Sequence, residues 1–289
     1  MNQFELLRHI TSNFDETLKE AFEKRMFLSS PLVESKLELG LDIYDKQHEI
    51  DYIKGIVAQF PPELSLKANS LWASLTRMSR SQQYRYLLKN KDGITLAHEP
   101  FLSTEPLPEN AKTVAPELIA VDAAMSLDYE VTPCHSLQGA LDCVIKGDAD
   151  RAIVACQSIY DADSIYLSFY NTCLFVNSIT RSKNGAMLFE LSKSLIYAKG
   201  DNIMTLAFAV DNTYGSMVQT LSMLSEAKLN IEHMRLRRST AGLEHPDNLV
   251  FIDLSGDFST LETKTALYQM EQELAFFRLL GFWNNSESF

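Results

Sequence analysis

The residues whose types and spacing suggest chemistry lie in the first 90 positions of the chain. They are Arg8, Arg25, Lys36, Asp45, Glu49, Ser79 and Gln83. Arg25 and Lys36 are eleven positions apart, so on one continuous helix they would lie within about 20° of each other around the axis and about 16 Å apart along it. Two long cationic side chains on one face can lean together and hold a compact dicarboxylate. Pro31 lies between them and is expected to kink or end the helix, which changes their separation.

Three helices must position these side chains. From Phe4 to Leu28 apolar residues recur three or four positions apart, a pattern that predicts a long amphipathic helix. The second predicted helix runs from about Leu41 to Phe60, where Pro61-Pro62 stops it. The third covers about Ser65 to Leu88.

The second and third predicted helices group their polar residues on one side. Asp45, His48 and Glu49 occupy positions i, i+3 and i+4, and Ser79 and Gln83 are one turn apart. Charged residues on helix faces are usually solvated, and Asp45 with Glu49 can also form ordinary surface pairs. Because charges on three helices align without another reason to do so, we favour a shared site over separate surface pairs.

The opening segment resembles the all-helical chorismate mutase domain found at the start of bifunctional chorismate mutase/prephenate dehydratases. The resemblance is carried by Arg8, Arg25, Lys36, the Asp45-x-x-His48-Glu49 run and Ser79-x-x-x-Gln83. The family has an arginine where this chain has His48. An imidazole is shorter than a guanidinium and only partly charged near neutral pH, so recognition at this end of the site is expected to differ.

The resemblance implies a one-step rearrangement of chorismate to prephenate. Such a reaction needs neither nucleophile nor proton transfer, and an enzyme accelerates it by holding the reactive conformer and stabilising charge on the breaking ether oxygen. By resemblance, Arg25 and an Arg8 from a partner subunit bind the two carboxylates, while Lys36 and Gln83 donate to the ether oxygen. The residues expected to bind the ring hydroxyl and a carboxylate are Asp45, His48, Glu49 and Ser79.

Composition restricts the class and the compartment. A chain of 289 residues, 46% hydrophobic and 22% charged, is long enough for two or three domains. The formal net charge of −12 argues against a nucleic-acid partner. We expect no signal peptide and no membrane span, because no apolar run approaches about 18 residues. The four cysteines lie at irregular spacings and are expected to be reduced and buried in a cytoplasmic protein; no metal and no cofactor are expected.

The middle of the chain predicts a linker followed by a small α/β lobe. Residues 91–117 contain four prolines and little periodicity, which is typical of a linker. Alternating elements follow in residues 118–198. The predicted strands are Leu118–Val121, Tyr129–Thr132, Arg151–Cys156 and Ala186–Leu191, and the clearest predicted helix is Ser136–Lys146.

The α/β segment resembles one lobe of the prephenate dehydratase domain, whose cleft carries a Thr-Arg-Phe motif preceded by asparagine. Aligning Asn184 with that asparagine puts Ala186-Met187-Leu188 at the motif. Thr180-Arg181 does not fit, because Ser182 follows and the strand is expected to begin later. The segment is also too short for two lobes, so we expect no dehydratase activity.

From about residue 201 the predicted order is βαββαβ, a ferredoxin-like arrangement. This stretch resembles an ACT regulatory domain that senses phenylalanine, with Leu229-Asn230-Ile231 at a family turn and Arg235 to Arg238 in place of Glu-Ser-Arg-Pro. The resemblance implies an amino-acid effector site. Its residues would be Asn212, Gly215, Ser216, Met217 and Arg237. The alternative is an ACT-like module that binds no ligand and serves dimerisation.

Together these patterns predict an α+β multidomain protein. Its segments are a chorismate-mutase-like helical bundle at 1–90, a linker at 91–117, a degenerate dehydratase-like lobe at 118–198 and a ferredoxin-like ACT domain at 199–289. We expect a cytoplasmic, homodimeric chorismate mutase of aromatic amino-acid biosynthesis (the shikimate pathway) or related secondary metabolism, acting on a small-molecule substrate. Two alternatives stay open: a mutase for an amino analogue of chorismate, because of His48, and a non-catalytic regulator that binds pathway metabolites.

Overall fold

The computed structural model describes residues 2–127, 130–197, 202–238 and 248–284, which contain nine α-helices and eleven β-strands. The helices are α1 (Gln3–Phe27), α2 (Ser29–Glu38), α3 (Lys46–Val57), α4 (Ser65–Asn90), α5 (Glu117–Leu127), α6 (Leu137–Lys146), α7 (Asp163–Phe169), α8 (Ser216–Glu226) and α9 (Leu261–Glu273). The strands are β1 (Leu102–Ser103), β2 (Thr113–Pro116), β3 (Val131–Cys134), β4 (Arg151–Cys156), β5 (Phe175–Arg181), β6 (Met187–Ser192), β7 (Leu195–Ile196), β8 (Ile203–Ala209), β9 (Asn230–Arg237), β10 (Leu249–Ser255) and β11 (Phe276–Trp283).

The chain divides into two compact units. The first contains Met1–Ile94 and Lys264–Glu273, and therefore combines α1 to α4 with most of α9. The second contains Thr95–Thr263 and Leu274–Phe289. Helix α9 belongs by sequence to the predicted C-terminal domain, yet most of it groups with the N-terminal helices. The predicted boundaries at residues 90, 117 and 198 stay predictions.

Helices α1 and α2 nearly continue one another. Leu28 between them keeps helical angles (φ −68°, ψ −11°), and its N–H donates to the Lys24 carbonyl, while the Leu32 N–H donates to the Leu28 carbonyl. The interruption was predicted at Pro31 and occurs instead at Leu28. Pro31 is tolerated because it lies in the first turn of α2, where a missing N–H costs little.

Helix α3 is shorter than predicted because Asp45 caps it. The His48 N–H donates to Asp45 Oδ1 at 2.9 Å, so Asp45 is the N-cap and α3 begins directly after it. The turn before it includes Gly40 in the left-handed region, at φ +65°. Asp45 therefore lies at the N-terminal end of α3, and the predicted helix start near Leu41 is wrong.

The helical unit has a small apolar core. Val33, Tyr84 and Leu87 are buried, and Ile43 and Tyr268 pack against them. The Tyr268 ring meets the Tyr84 ring edge to face, with centroids 5.6 Å apart. Helix α9 thus contributes an aromatic side chain to a core that the sequence assigned to three helices.

The second unit is built on one mixed sheet of nine strands, in the order β3-β2-β4-β6-β5-β11-β8-β10-β9. β2 pairs in parallel with β3 and β4, whereas β4, β6 and β5 are antiparallel neighbours. β11, β8, β10 and β9 are antiparallel. The core contains the large buried side chains Tyr166, Phe169, Phe189, Phe251 and Trp283. The chain is thus a mixed α/β protein in which the predicted lobe and the predicted ferredoxin-like segment share one sheet.

Several predicted elements of the second unit are wrong. Leu118–Val121 lies inside α5, because a short apolar run does not distinguish a strand from a helix. The predicted linker contributes β1 and β2. The strand predicted at Tyr129 begins at Val131, and Tyr129 lies outside the described residues. The strand predicted at Ala186–Leu191 is present as β6, whereas Thr180-Arg181 lies in β5, a strand that the sequence analysis did not predict.

The cysteines are less buried than predicted. All four are free thiols. Cys134, Cys143 and Cys156 are half-buried, and Cys173 is exposed. Their spacing alone did not reveal that the apolar segments around them lie partly at the surface of the unit.

A close approach at Gly281 joins the two halves of the sheet. β5 and β11 run parallel and are in register at Gly281 and Val176. A β carbon added to Gly281 would overlap the Val176 carbonyl group. Only glycine allows this approach, because every other residue carries that carbon.

Gly281→Ala is expected to lower the free energy of unfolding by about 2 kcal/mol or more, because β11 must move away from β5. Urea denaturation of the full chain measures it. Gly55→Ala is the matched control: nothing lies within 4 Å of that added carbon, and alanine inside a helix is favourable by about 1 kcal/mol over glycine. Equal stability of the Gly281 variant and the wild type would contradict the role assigned to this contact.

Candidate functional site

A cavity of about 230 Å³ in the helical unit collects most of the predicted site residues. Its lining residues are Arg25, Leu32, Lys36, Ile43, Asp45, His48, Glu49, Tyr52, Thr76, Ser79, Arg80 and Gln83. Seven of the eight predicted helical-site residues are among them. The eighth, Arg8, is exposed on α1 with its guanidinium 5.7 Å from the centre of the Phe4 ring.

Lys36 is a partly desolvated cation of the cavity. Its Nζ donates to the Ile43 carbonyl at 2.6 Å, which leaves further N–H groups for a ligand. Burial lowers the pKa of Lys36, and the positive charge of Arg80 lowers it further, against opposing effects of Glu49, Asp45 and Asp42. A cation in these surroundings gains more from an incoming anion than a solvated lysine does.

Two buried polar atoms of the lining have no hydrogen-bond partner within the described part of the chain. They are Arg25 Nε and Gln83 Oε1. The Gln83 side chain is 2% exposed, and its Nε2 donates to the Ser79 carbonyl at a long 3.3 Å. A buried polar group without a partner costs about 1–3 kcal/mol. Such groups are rare in folded proteins, and a bound ligand would supply the missing partners.

Ser79 is held between two helices. Its hydroxyl lies 3.0 Å from the hydroxyl of Ser29, and both residues are buried. Ser29 begins α2, so this contact ties the helix that carries Lys36 to α4. The sequence analysis did not single out Ser29, because one serine at a helix start is usually a capping residue.

Sequence reasoning missed Arg80, which is 7% exposed and lines the cavity. Its Nε and Nη2 donate to the Glu273 carboxylate at 2.7 and 2.9 Å, and its Nη1 contacts the Glu49 carboxylate. The guanidinium lies 4.5 Å from the centre of the Tyr44 ring. Burial alone would lower the pKa of Arg80, but the hydrogen bonds and charges of Glu273 and Glu49 raise it overall.

A signal for Arg80 exists in the sequence, but none exists for its partner. Arg80 directly follows Ser79 and is three positions before Gln83, so it belongs to the same side of α4. Glu273 is 193 positions away from Arg80. No helical period connects them, and only the packed fold brings them together.

Both carboxylates expected to bind a ring hydroxyl already accept hydrogen bonds from the protein. Glu49 accepts from the Thr76 hydroxyl at 3.0 Å and contacts Arg80. Asp45 accepts from the backbone N–H of His48. An ionised carboxylate has about four acceptor positions, so both retain capacity for a ligand. The lining contains three cations, Arg25, Lys36 and Arg80, against these two carboxylates, and Glu273 compensates Arg80 from outside the lining.

The predicted effector residues lie in the second unit. Gly215 has φ +86° and precedes α8, and the Ser216 hydroxyl donates to the carbonyls of Asp211 and Thr213 at 2.6 and 3.1 Å. Asn212 is exposed and Met217 is half-buried. Arg237, at the end of β9, pairs with the Asp163 carboxylate. The Ser216 hydroxyl and the Arg237 guanidinium are therefore engaged by the protein itself, and the effector role stays a prediction.

Within the described ranges no three His, Cys, Asp or Glu side chains converge as metal ligands do. In the same parts of the chain, no helix combines the length and apolar character that crossing a membrane requires.

No family model and no curated protein matches the chain. Solved structures similar to it include a protein described as a novel type of quorum-quenching acylase, with 17% identity over 62% of this chain and 97% of that chain and a TM-score of 0.46. A prephenate dehydratase from Arthrobacter aurescens in complex with L-Phe has 12% identity over 60% and 90% of the two chains, with a TM-score of 0.47. A prephenate dehydratase from Streptococcus mutans has 15% identity over 60% and 97%, also with 0.47. Likeness at this level does not carry an activity, a substrate or an effector over to this chain.

Gln83→Met is expected to raise the free energy of unfolding by about 1 kcal/mol, because it removes a buried amide whose oxygen has no partner, loses only one long hydrogen bond and keeps the side-chain volume. Urea denaturation followed by circular dichroism measures the change. Gln269→Met is the matched control: Gln269 Nε2 donates to the Arg77 carbonyl at 3.3 Å and to Glu273 Oε1 at 2.9 Å. That variant is expected to lose stability. Equal losses in both variants would mean that the Gln83 amide is satisfied in solution.

Proposed function

We propose that the chain is a chorismate mutase, which converts chorismate to prephenate. The observation that carries the proposal is one cavity lined by Arg25, Lys36 and Gln83, in which Arg25 Nε and Gln83 Oε1 are buried without partners in the described chain. Chorismate carries two carboxylates and an ether bond that breaks during the reaction. A cavity lined by cations and by unsatisfied polar groups matches those features.

The proposed mechanism uses positioning and electrostatics. Arg25 binds one carboxylate and holds the substrate in its folded conformer, so that the two carbon atoms to be joined are close. The Lys36 ammonium donates to the ether oxygen as negative charge develops there, and its partial burial makes that interaction stronger than in water. Rotating the Gln83 amide by 180° would replace its unpartnered oxygen with an N–H donor that is directed at the ether oxygen of the substrate.

The size of the cavity also supports a compact substrate. Its volume of about 230 Å³ is below the range of about 300–1,000 Å³ that is usual for drug-sized ligands. His48 and Asp45 are exposed and mark the solvent side of the lining. In the proposed pose the ring hydroxyl faces this side, with Asp45 and Glu49 as acceptors and Ser79 as a donor to a carboxylate.

We infer that the protein acts as a homodimer paired through α1. None of the residues of α1 is buried. One stripe of the helix is apolar and exposed: Phe4, Leu7, Ile10, Phe14, Leu18 and Phe22. A second copy would cover this stripe, and Arg8 beside it would enter the partner's cavity to bind the second carboxylate.

Dehydratase activity is not part of the proposal. Ala186-Met187-Leu188 lies where the motif threonine is needed, and it offers no hydroxyl. Thr180 and Arg181 pair with Leu188 and Met187 in the β5–β6 ladder. Both candidate positions therefore belong to one hairpin, closed by the turn in which the Gly185 N–H donates to the Ser182 carbonyl at 2.9 Å.

A mutase for an amino analogue of chorismate is the second candidate. The observation that favours it is the exposed imidazole of His48 on the cavity lining, at the end assigned to the ring hydroxyl. A neutral imidazole can accept a hydrogen bond from an amino group, which a guanidinium cannot do. Comparing kcat/KM for both substrates on the wild type and on His48→Arg separates the two candidates.

The wild-type full chain is expected to produce prephenate from chorismate. Lys36→Met and Arg25→Ala are each expected to lower kcat/KM about 10³-fold, because each removes a charge that stabilises the transition state. Lys24→Ala is the matched control, an exposed cation beside Arg25 whose partner is Glu20. Chorismate binding without turnover would contradict the enzyme and favour a metabolite-binding regulator. Phenylpyruvate formed from prephenate above background would contradict the absence of dehydratase activity.

Mixing two inactive variants tests the shared site. Arg8→Ala and Lys36→Met are each expected to be nearly inactive alone. After unfolding together and refolding, half of the dimers combine one chain of each kind, and one of their two cavities holds both wild-type residues. About a quarter of wild-type activity should then return. No recovery, in a mixture whose mass shows dimers, would mean that Arg8 does not act in the partner's cavity.

A further inference from the structure

A residue from the far end of the chain supports the cavity. Glu273 is the last residue of α9, and its carboxylate takes two hydrogen bonds from Arg80. The side chains of Arg80 and Glu273 are 9% and 5% exposed. α9 is held against α4 nearby, where Gln269 Nε2 donates to the Arg77 carbonyl. Glu273 is therefore fixed with respect to the helix that carries Ser79, Arg80 and Gln83.

The contacts of Arg80 leave part of its guanidinium available. A guanidinium has five N–H donors in a rigid fork. Its hydrogen bonds use one N–H each on Nε, Nη1 and Nη2, with Glu273 and Glu49 as acceptors. The two remaining donors belong to a side chain that lines the cavity. With two carboxylates and the Tyr44 ring around it, the guanidinium has little freedom to turn away.

The cavity contains cations whose repulsion a ligand would relieve. Arg80 and Lys36 both line it, together with Arg25. Glu49 pairs with Arg80 and accepts a hydrogen bond from the Thr76 hydroxyl, so its negative charge is largely compensated within the protein. The charge of Arg80 is compensated by Glu49 and Glu273, but a carboxylate placed between Arg25 and Lys36 would still accept hydrogen bonds from the two unused N–H groups of Arg80. A bidentate guanidinium is the usual partner of a carboxylate.

We propose that Arg80 binds the anionic substrate in this cavity and that Glu273 positions it, so that helix α9 is part of the binding site. The identity of the ligand, a small dicarboxylate, rests on the function proposed above. Arg80 acts on the bound substrate and the transition state alike, because it contacts a carboxylate that the reaction leaves unchanged. Its loss therefore affects KM more than kcat.

The test compares wild type, Arg80→Gln, Glu273→Gln and the charge-balanced double variant Arg80→Gln/Glu273→Gln in the full chain. Both kcat and KM for chorismate are measured, together with Kd by calorimetry. Arg80→Gln is expected to raise KM about 10- to 100-fold with kcat within about threefold of wild type. Glu273→Gln is expected to raise KM about 3- to 10-fold, because the guanidinium is no longer fixed. If only net charge mattered, removing a carboxylate would lower KM instead.

Non-additivity separates positioning from a general structural role. If Glu273 acts through Arg80, Glu273→Gln has no further effect on KM in a chain that already carries Arg80→Gln. Multiplied effects in the double variant, or a KM for Arg80→Gln equal to wild type, would overturn the proposal.

Arg77→Gln is the matched control: it is a buried arginine one turn earlier on α4 that does not line the cavity, and its KM is expected to stay at the wild-type value. A rise there equal to that of Arg80→Gln would also overturn it.

The same experiment distinguishes failure of the two proposals. Turnover by the wild type with unchanged KM in the Arg80 variants would leave the mutase and remove the role of Arg80. Binding without turnover would contradict the mutase activity. The Kd values of the wild type and of Arg80→Gln would then show whether Arg80 binds the ligand. If the wild type neither binds nor converts chorismate, the ligand class is wrong and both proposals fall. Thermal melts identify a variant that does not fold, and the charge-balanced double variant avoids an uncompensated buried carboxylate.

Discussion

The ion pairs of Arg80 are the constraint on which the helical unit depends. Burying a guanidinium costs several kcal/mol unless carboxylates compensate it, and here the compensation comes from Glu49 on α3 and Glu273 on α9. Three helices are thereby held at one point beside the cavity. The apolar core of this unit is small. The ion pairs of Arg80 therefore help to determine how α3, α4 and α9 pack against one another.

The second unit also contains a buried charged network, near the β9 edge of its sheet. Asp253 is completely buried on β10. It accepts from the Thr205 hydroxyl of β8 at 2.8 Å and from Arg235 of β9 at 2.9 Å, and the Tyr166 hydroxyl of α7 donates to it at 3.3 Å. One carboxylate thus links three neighbouring strands and a helix. A satisfied buried network of this kind favours one strand register, because any other would leave a charge without partners.

In the proposed dimer the cavity and the apolar stripe of α1 act together. Both lie in the first unit, and Arg8 is next to the stripe. Pairing through α1 would complete both the hydrophobic surface and the set of cations. The dependence on α9 is of another kind, since Glu273 acts from the same chain and engages Arg80 rather than a ligand.

The sequence by itself determined the long helices α1 and α4 and most of the cavity lining. Helical periodicity identifies α1 and α4, and residues one turn apart on a helix share a side wherever the chain folds, so Ser79 and Gln83 were recognisable together. Only the tertiary structure decided the partners of these residues. Glu273 reaches Arg80 across 193 positions, and Gly281 meets Val176 to make one sheet of two predicted segments. Such contacts have no period in the sequence, because packing brings together residues that local patterns cannot relate.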